Sequence, residues 1–582
     1  MSHIAIIDKN KCKPSKCSNE CMKKCPPQIS GHITIDIEDI GSFVHAKINE
    51  ISCIGCGNCV KSCPFNAIKI INLPFEKQED IIHRYEPNGF KLYKLPELRD
   101  NCVTTLIGQN GIGKTTVLEI LCGNIIPNKV DPIRYFKGNT MMKYFKKLKN
   151  KKLIFSIKPQ KIKSYKVENI TVENYILENN LLINETFEQL ELNLLLTNKI
   201  STLSGGELQR FMCWCTANKY ASVYIFDEPS NFLDTKQKLL IGQMIKKLCK
   251  PGIYVLVVEH DFSLTDYMSD YVHIMYGIPA AYGIVHCNMS TLNGINTYLK
   301  GYILGANMRI RDEPLNFVPR FSKDILITNN LDFVINSSNI EFKNFKLVIP
   351  NLHVSYGSSL NIILGENGTG KSTLLKYISK VINLTVSHKE QYNNIEQYEV
   401  NNNYPTVLEF LYGPIYNLPQ FKTDVVNVLC IRDLEDKKIN NLSGGELQKV
   451  IICKVLSVPA TIYLLDEPSA NLDIENRLAC TKAIKRFVIN FNKCVYIIEH
   501  DMMMTVSLGQ ASISKIIYID KKINEKQKTC TVIEPQSFKN GMNMFLKNMN
   551  ITMRTGNHGR PRINKLNSQL DTEQKLNSQY YF

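Results

Sequence analysis

No stretch of this chain approaches the ~18 uninterrupted apolar residues that a membrane helix needs, and no charged-then-apolar leader opens it. The expectation is a protein that does not span a membrane on its own. Acidic residues are the scarcer sign: 54 Asp and Glu stand against 70 Lys and Arg, a net +16 at pH 7. That excess favours polyanionic partners such as nucleic acid, although a well-solvated basic surface explains net charge alone equally well. Disorder and collagen-like repeats are excluded by 44% apolar and 21% charged content, which is ordinary for a globular protein. At 582 residues the chain is too long for one core, and roughly three to five domains are expected.

Cysteine is thin over most of the length, eleven in the last 519 residues, but eight fall within the first 63. The scattered ones, such as Cys213, Cys215 and Cys480, read as small core residues. Clustered thiols without a secretory leader read as metal ligands rather than disulfides. Cys53-Ile-Gly-Cys56-Gly-Asn-Cys59-Val-Lys-Ser-Cys63-Pro64 is the C-x2-C-x2-C-x3-C-P run of bacterial-type ferredoxins, in which the fourth thiolate crosses to a second cluster. Cys12, Cys17, Cys21 and Cys25-Pro26 form a wider-spaced counterpart. By that crossing, Cys53, Cys56, Cys59 and Cys25 would hold one [4Fe–4S] cube, and Cys12, Cys17, Cys21 and Cys63 the other. Gly55 and Gly57 leave room for backbone amides near the sulfides. Zinc in thiolate cages is the alternative, but it rarely uses this run. No flavin or other redox-partner motif accompanies the thiols, so a structural role is favoured over electron carriage.

After Leu73-Pro74 one ordered set of motifs occurs twice. Gly108-Gln-Asn-Gly-Ile-Gly113-Lys114-Thr115 and Gly365-Glu-Asn-Gly-Thr-Gly370-Lys371-Ser372 both fit G-x4-G-K-[ST], each between an apolar run and a helical segment. In such loops backbone amides curl around phosphates at a helix amino-terminus. Asn110, Gly111, Gly113 and Thr116 belong to the first cradle, and Asn367, Gly368, Gly370 and Thr373 to the second. Lys114 and Lys371 would reach the β- and γ-phosphates, and Thr115 and Ser372 would ligate Mg²⁺. Leu203-Ser204-Gly205-Gly206-Glu207 recurs as Leu442-Ser443-Gly444-Gly445-Glu446. Apolar strands then end in Asp227-Glu228 and Asp466-Glu467. The first carboxylate of each pair would hold the magnesium hydration shell, and Glu228 and Glu467 would polarise the attacking water. Asp234 and Asp473 follow, and Glu259-His260-Asp261 and Glu499-His500-Asp501 close each set. A lone Asp-Glu or His at a strand end is normally a satisfied polar residue; the ordered recurrence argues otherwise.

Spacing reveals an insertion. Lys114 lies 46 positions before Gln160 but Lys371 only 20 before Gln391, so the first module carries 26 extra residues. Within them, Asp131–Lys152 holds eight Lys or Arg and one Asp, with Tyr135, Phe136, Tyr144 and Phe145 interleaved. Such a run is usually a solvated helix face; a basic, aromatic-bearing insertion is also a candidate for docking on RNA phosphates.

The two repeats resemble ATP-binding cassettes with LSGGE signatures. The order of ferredoxin-like segment, cassette and cassette resembles the RNase L inhibitor family, subfamily E of the ATP-binding cassette proteins. Carrying the resemblance are the C-x-P-x2-C opening at Cys12–Cys17, His83-Arg84-Tyr85, and Tyr276-Gly277-Ile278-Pro279-Ala280-Ala281-Tyr282-Gly283. Asn293-Gly294-Ile295-Asn296, Arg309-Ile310-Arg311-Asp312 and Arg560-Pro561-Arg562-Ile563-Asn564-Lys565 carry it too.

The resemblance implies an α+β ferredoxin-like domain at 1–72, α/β phosphate-loop cassettes at 73–292 and 322–539, a hinge at 293–321, and a second hinge and tail at 540–582. Asn393–Asn403 reads as a surface loop. It implies halves paired head to tail around two ATP with Mg²⁺. One site would join Lys114, Thr115, Gln160, Asp227, Glu228 and His260 to Ser443, Gly445 and Glu446. The other would join Lys371, Ser372, Gln391, Asp466, Glu467 and His500 to Ser204, Gly206 and Glu207. Gln160 and Gln391 would assist at Mg²⁺, and Tyr85 and Phe90 would meet the first adenine; no equally clear aromatic marks the second.

The implied activity is an ATP hydrolase that splits ribosomes into subunits, closure of the cassettes swinging the iron–sulfur domain. Translation initiation and ribosome biogenesis stay open as further roles. Implied partners are the small ribosomal subunit, contacted through the insertion, and a peptide-release or rescue factor, with initiation factors left open. No membrane is implied. The chain would be a monomer working in the cytoplasm, with the nucleus left open. The rival readings are an ATP-gated electron-transfer protein and a soluble ATPase subunit of a membrane importer.

Overall fold

The computed structural model describes residues 3–8, 11–40, 43–49, 52–72, 80–85, 89–160, 170–311, 313–317, 332–342, 345–355, 357–382, 384–391, 404–509, 513–524, 527–556 and 559–581. The expected boundaries at 72/73 and 321/322, the loop at 393–403 and Asp312 of the hinge motif lie outside the described residues.

The amino-terminal unit is a small α+β fold. Strands His3–Ile7 and Ile68–Asn72 pair antiparallel, beside a hairpin of Ile35–Ile40 and Phe43–Ile48. Short helices Glu20–Lys23 and Asn58–Ser62 carry part of each cysteine run. Its core holds few aliphatic side chains, among them Ala5, Ile35, Ala46, Ile48 and Ile68, and the cysteines themselves complete it.

Each cassette is built on a sheet whose strands follow one spatial order. In the first, Val103–Gly108 lies between Tyr254–Val258 and Tyr271–Ile278, all parallel, with Val223–Asp227 and Phe155–Lys158 beyond. In the second, Ser359–Leu364 lies between Cys494–Ile498 and Ser514–Asn524, with Ile462–Asp466 and Val386–Lys389 beyond. Every residue of Val103–Gly108 and Ser359–Leu364 is buried, as parallel strands covered on both faces must be. That burial explains the largely apolar runs before each glycine-rich loop. Antiparallel hairpins, Ile81–Arg84 with Lys91–Tyr93 and Ser338–Phe342 with Phe345–Ile349, form one edge of each sheet.

Two expected boundaries move. Position 292/293 falls inside the helix Thr291–Lys300, which packs its Ile295, Tyr298 and Leu299 into the first cassette's core. Position 539/540 falls inside the helix Phe538–Asn548, whose Met542, Phe545 and Leu546 belong to the second core. Both helices are amphipathic closures of their cassettes, and the hinges begin after them.

The segment beyond 548 is folded rather than trailing. Met553–Thr555 pairs with Pro561–Ile563. Asp266 of the first cassette accepts two bonds from Arg562, at 2.6 and 3.1 Å, and faces the fully buried Arg560 at 3.5 Å.

The basic insertion forms helices Pro132–Tyr135 and Thr140–Lys149, capped by Asp131 and Asn139. Here the expectation that its aromatics face a partner is corrected: Phe136, Tyr144 and Phe145 are buried, Tyr144 donating to the Leu121 carbonyl at 2.8 Å. All eight Lys and Arg are exposed. The apolar stripe anchors the insertion, and its Lys and Arg side chains face outward. Among the described residues, no helix is long and apolar enough to cross a membrane.

Removing the charge on Asp266 leaves Arg560 buried without a counter-ion, a change that costs about 3–5 kcal/mol at buried pairs. Asp266→Asn should lower the apparent melting temperature by several degrees in a scan at fixed rate, whereas an exposed control such as Asp131→Asn should not.

Candidate nucleotide and iron–sulfur sites

The thiols gather in two groups. Cys25, Cys53, Cys56 and Cys59 line one small cavity with Gly55 and Gly57, both glycines at positive φ, 67° and 80°. Burial first, then the neighbouring Cys53 and Cys56, pushes the Cys59 thiol up to about 11. Cys12, Cys17, Cys21 and Cys63 form the other group: burial raises Cys12 and Cys21, and the remaining members of the group raise them further. Thiols that resist ionising alone and repel one another as thiolates suit a cationic iron core that compensates four of them. Among the described residues no three His, Cys, Asp or Glu side chains converge closely enough to hold a metal ion.

The first phosphate loop opens onto a cavity of about 890 Å³ walled by both halves. Asn110, Gly111, Gly113, Lys114, Thr115, Thr116, Gln160, Asp227, Glu228 and His260 line it from one side, Ser443 and Gly445 from the other. Lys114 Nζ donates to the carbonyls of Gly108 and Gln109, each at 2.8 Å, and burial lowers its pKa to about 8. Glu228 accepts from Gln160 Nε2 at 2.8 Å and Asn231 Nδ2 at 2.6 Å, and His260 Nε2 stands 3.4 Å away. Burial works against its charge, yet His260, Lys114 and Gln160 together hold it well below the usual carboxylate range. Burial, then the adjoining Glu228, raises Asp227 to about 6. Burial, then Lys114, lowers the pKa of His260.

The second cavity, about 400 Å³, is lined by Asn367, Gly368, Gly370, Lys371, Ser372, Thr373, Gln391, Asp466, Glu467 and His500. Ser372 Oγ donates to one oxygen of Asp466 at 2.6 Å, while the other buried oxygen has no partner among the described residues. That is a fitting place for magnesium hydration. Gln391 Nε2 donates to Glu467 at 2.8 Å, and His500 stands at 3.6 Å. Ala470 occupies the place of Asn231, and burial, then Asp466, raises Glu467 to about 7.

Ser204, Gly206 and Glu207 do not line this cavity. Gly206 nevertheless lies across the seam from the second loop: a Cβ there would stand 3.4 Å from Asn367 Nδ2. Glu207 and Glu446 turn back to cap their own helices, receiving the amides of Ser204 and Ser443 at 2.8 and 2.9 Å. The geometry gives them the task of fixing the signature serine rather than touching a nucleotide.

Asp234 and Asp473 each serve two backbones. One oxygen caps the helix that follows, accepting from Gln237 N or Asn476 N at 2.9 Å. The other reaches the opposite phosphate loop, accepting from Asn367 N at 2.8 Å and Asn110 N at 3.3 Å. Head-to-tail pairing of the two halves is thus present in the structure.

Comparison with known proteins agrees with this architecture. The ABC transporter family model matches residues 97–231 and 349–470, "Possible Fer4-like domain in RNase L inhibitor, RLI" matches 2–29, and "4Fe-4S binding domain" matches 46–69. The chain is 39% identical to the translation initiation factor RLI1 of Saccharomyces cerevisiae, with 100% of this chain and 98% of the relative covered. The chain belongs to the RNase L inhibitor (ABCE1/RLI1) family. Its fold superposes on a chain in a model of ribosome-bound archaeal Pelota and ABCE1 with a TM-score of 0.90, at 36% identity, covering 100% and 99% of the two chains. A crystal structure of the archaeal ribosome recycling factor aABCE1 with the stalk protein aP1 superposes with a TM-score of 0.77, at 35% identity, covering 87% and 100%. An iron–sulfur region followed by two ATP-binding cassette ATPase domains is the family arrangement, and such domains imply ATP binding and hydrolysis.

Tyr85 and Phe90 were named from the sequence; two other features of this ABCE1-type chain were not, Phe345 at the second cavity and a buried lysine before each glutamine. Tyr85 and Phe90 line the first cavity, Tyr85 Oη lying 3.1 Å from Thr116 Oγ1. Phe342 and Phe345 line the second, and Phe345 packs on Gly370 as Phe90 packs on Gly113. The available signal was position: Phe90 and Phe345 precede Gly108 and Gly365 by 18 and 20 residues.

The second feature is a buried lysine two residues before each glutamine. Lys158 Nζ donates to the carbonyls of Asp227 at 2.7 Å and Glu228 at 3.1 Å, and Lys389 Nζ to that of Asp466 at 2.9 Å. Glu228 and Glu467 sit at φ 50° and 47°, a conformation a non-glycine residue holds only when its surroundings impose it. At the first site the strand-end lysine and the glutamine two residues beyond it therefore fix main chain and side chain of the same acid. Bonds from a charged donor contribute about 1.5–3 kcal/mol each, so Lys158→Met should lower kcat of the first site at least about tenfold. KM for ATP should stay within about twofold, as for a group that acts on the transition state alone. Steady-state turnover in a Glu467→Gln background reads this directly.

Proposed function

We propose that this protein is an ATP hydrolase that splits ribosomes into subunits after termination or rescue. The observation that carries the reading is the first nucleotide cavity, which is complete only when Ser443 and Gly445 of one half face Lys114 of the other. Ser443 and the amides at the start of Gly444–Ser457 lie at a helix amino-terminus, where a γ-phosphate is stabilised by aligned N–H groups. ATP therefore bridges the halves, and loss of its γ-phosphate removes the charge that holds them.

Glu228 and Glu467 orient the attacking water, with His260 and His500 beside them and the glutamines restricting each carboxylate. Thr115, Ser372, Gln160 and Gln391 would hold magnesium, which offsets phosphate charge when bound. Two [4Fe–4S] clusters, when bound, supply the cross-links that a small core lacks, so that the amino-terminal unit moves as one body. Its Ile6 and Ile71 pack on the apolar cluster of the first cassette and hinge, beside Ile474 of the second cassette. Closure at the nucleotide sites consequently acts where that unit is seated. The named relatives supply the target: one is bound to a ribosome with Pelota, another is complexed with a stalk protein. Exposed cations of the insertion suit small-subunit RNA, and a release or rescue factor would occupy the space between subunits.

Purified protein, a release factor and ATP should convert ribosomes to subunits in sucrose gradients, and Cys25→Ser should split poorly while keeping most ATP turnover. No acceleration over the ATP-free baseline would reject the proposal. Lys143→Glu, Lys146→Glu and Lys147→Glu together should weaken co-sedimentation with the small subunit. They should also reduce the slope of log affinity against log salt by about 2–3, as expected for three lost phosphate contacts.

A further inference from the structure

Gln109 and Glu366 hold the same place, directly after the first glycine of each phosphate loop, and Glu475 and Lys236 both stand two residues after a seam aspartate. The two sites thus carry different chemistry at one equivalent contact. At the first, Gln109 Nε2 donates to Glu475 Oε2 at 2.6 Å across the seam. The other oxygen of Glu475 accepts from Arg311 Nε at 2.5 Å and Tyr298 Oη at 3.2 Å. Arg311 is pinned in turn: Nη2 donates to the Tyr298 carbonyl at 2.6 Å, and its guanidinium lies 4.6 Å from the Tyr298 ring centroid. Tyr298 is 1% exposed. At the second site, Glu366 meets Lys236 at 3.6 Å and Lys521 at 3.3 Å, and Lys521 continues to Glu191, beside Arg210 of the signature helix.

We propose that Glu475 is a positioning residue that transmits occupancy of the first nucleotide site to the first hinge, a link the second site does not make among the described residues. Resting on the closure reading above, it adds that the two sites report to different places. One carboxylate divides between a loop that cradles phosphate and a hinge that follows the first cassette. When the halves part, the buried hydroxyl of Tyr298 and the guanidinium of Arg311 lose their shared acceptor, and an unmatched buried donor is costly. Hinge geometry and first-site closure therefore stabilise each other, as linkage requires. The second site's ion pairs run instead into the helical region that presents the first signature.

Hydrogen exchange of the 298–311 segment in the full, cluster-loaded protein tests this, with a non-hydrolysable ATP analogue and magnesium. Nucleotide should slow exchange there about fivefold or more, the lower end of ordinary coupling. The response should vanish in Lys114→Ala, persist in Lys371→Ala, and fall below twofold in Glu475→Ala although that variant still binds the analogue. Arg311→Met, altering the other end of the same contact, should reproduce the loss if Glu475→Ala folds poorly. A wild-type response retained in Glu475→Ala or in Arg311→Met overturns the proposal, as does a response that follows Lys371 instead. If scattering shows no compaction of the wild type with nucleotide, the closure reading fails and this inference with it; compaction without a hinge response removes this inference alone.

Discussion

Asp234 and Asp473 are the contacts on which the paired architecture depends. Each side chain has two oxygens and gives one to its own helix and one to the backbone of the opposing phosphate loop. A cap bond fixes where the helix begins, and the cross-seam bond fixes where the other half's loop lies relative to that beginning. Because each aspartate follows a catalytic-type Asp-Glu pair by a short turn, the acid of one site and the phosphate cradle of the other are placed by the same few residues. Neither half can adjust its nucleotide site without moving its partner's.

The middle of the seam follows from this. Lys238 pairs with Asp261 at 2.9 Å and Arg477 with Asp501 at 2.5 Å, all four almost fully buried, and Lys238 also donates to the His500 carbonyl across the seam at 3.4 Å. Buried ion pairs add little net stability over apolar packing, because desolvation offsets most of their attraction. Both pairs lie within one half, so every charge keeps its counter-ion when the halves part. A seam of this kind is polar and cheap to open compared with an apolar one. That combination suits halves that must meet repeatedly when a triphosphate is present and separate when it is gone.

Much of this was legible beforehand, for identifiable reasons. The glycine-rich loops, Asp-Glu strand ends and signature serines are local patterns whose chemistry requires a fixed spacing, so their repetition revealed two cassettes and most of both sites. The crossing of Cys25 and Cys63 between thiol groups was expected from the ferredoxin-type run, and the structure gathers the thiols in those groups. What was hidden depends on tertiary context. Tyr144 and Phe145 looked available in a basic run, but alternation along Thr140–Lys149 turns them inward and leaves the lysines outside. Phe345 carries no motif; it matters because an edge hairpin lays it on Gly370. Lys158 reads as an ordinary strand residue until the fold brings the carbonyls of Asp227 and Glu228 over it. Glu207 had a motif and a different use, since its carboxylate is already engaged in a capping box.

The junction beneath the iron–sulfur unit links these observations. Tyr298 and Leu299 of the helix that closes the first cassette and Ile303 of the hinge share one apolar cluster with Tyr93, Tyr276 and Tyr282 of the first cassette, Ile474 of the second, and Ile6 and Ile71 of the amino-terminal strands. Apolar clusters are densely packed and resist gradual deformation, so a shift of Ile474 is passed on to its neighbours rather than absorbed. Ile474 is the first helical residue after Asp473, and Asp473 holds the first phosphate loop. A displacement at the loop therefore reaches the seat of the iron–sulfur unit through two adjacent residues, one polar and one apolar. At the second loop, held by Asp234, Thr235 occupies the place of Ile474, and the ion pairs there lead toward the signature helix. The internal repeat thus makes two similar sites, and a few unlike side chains around them give each a different mechanical outlet.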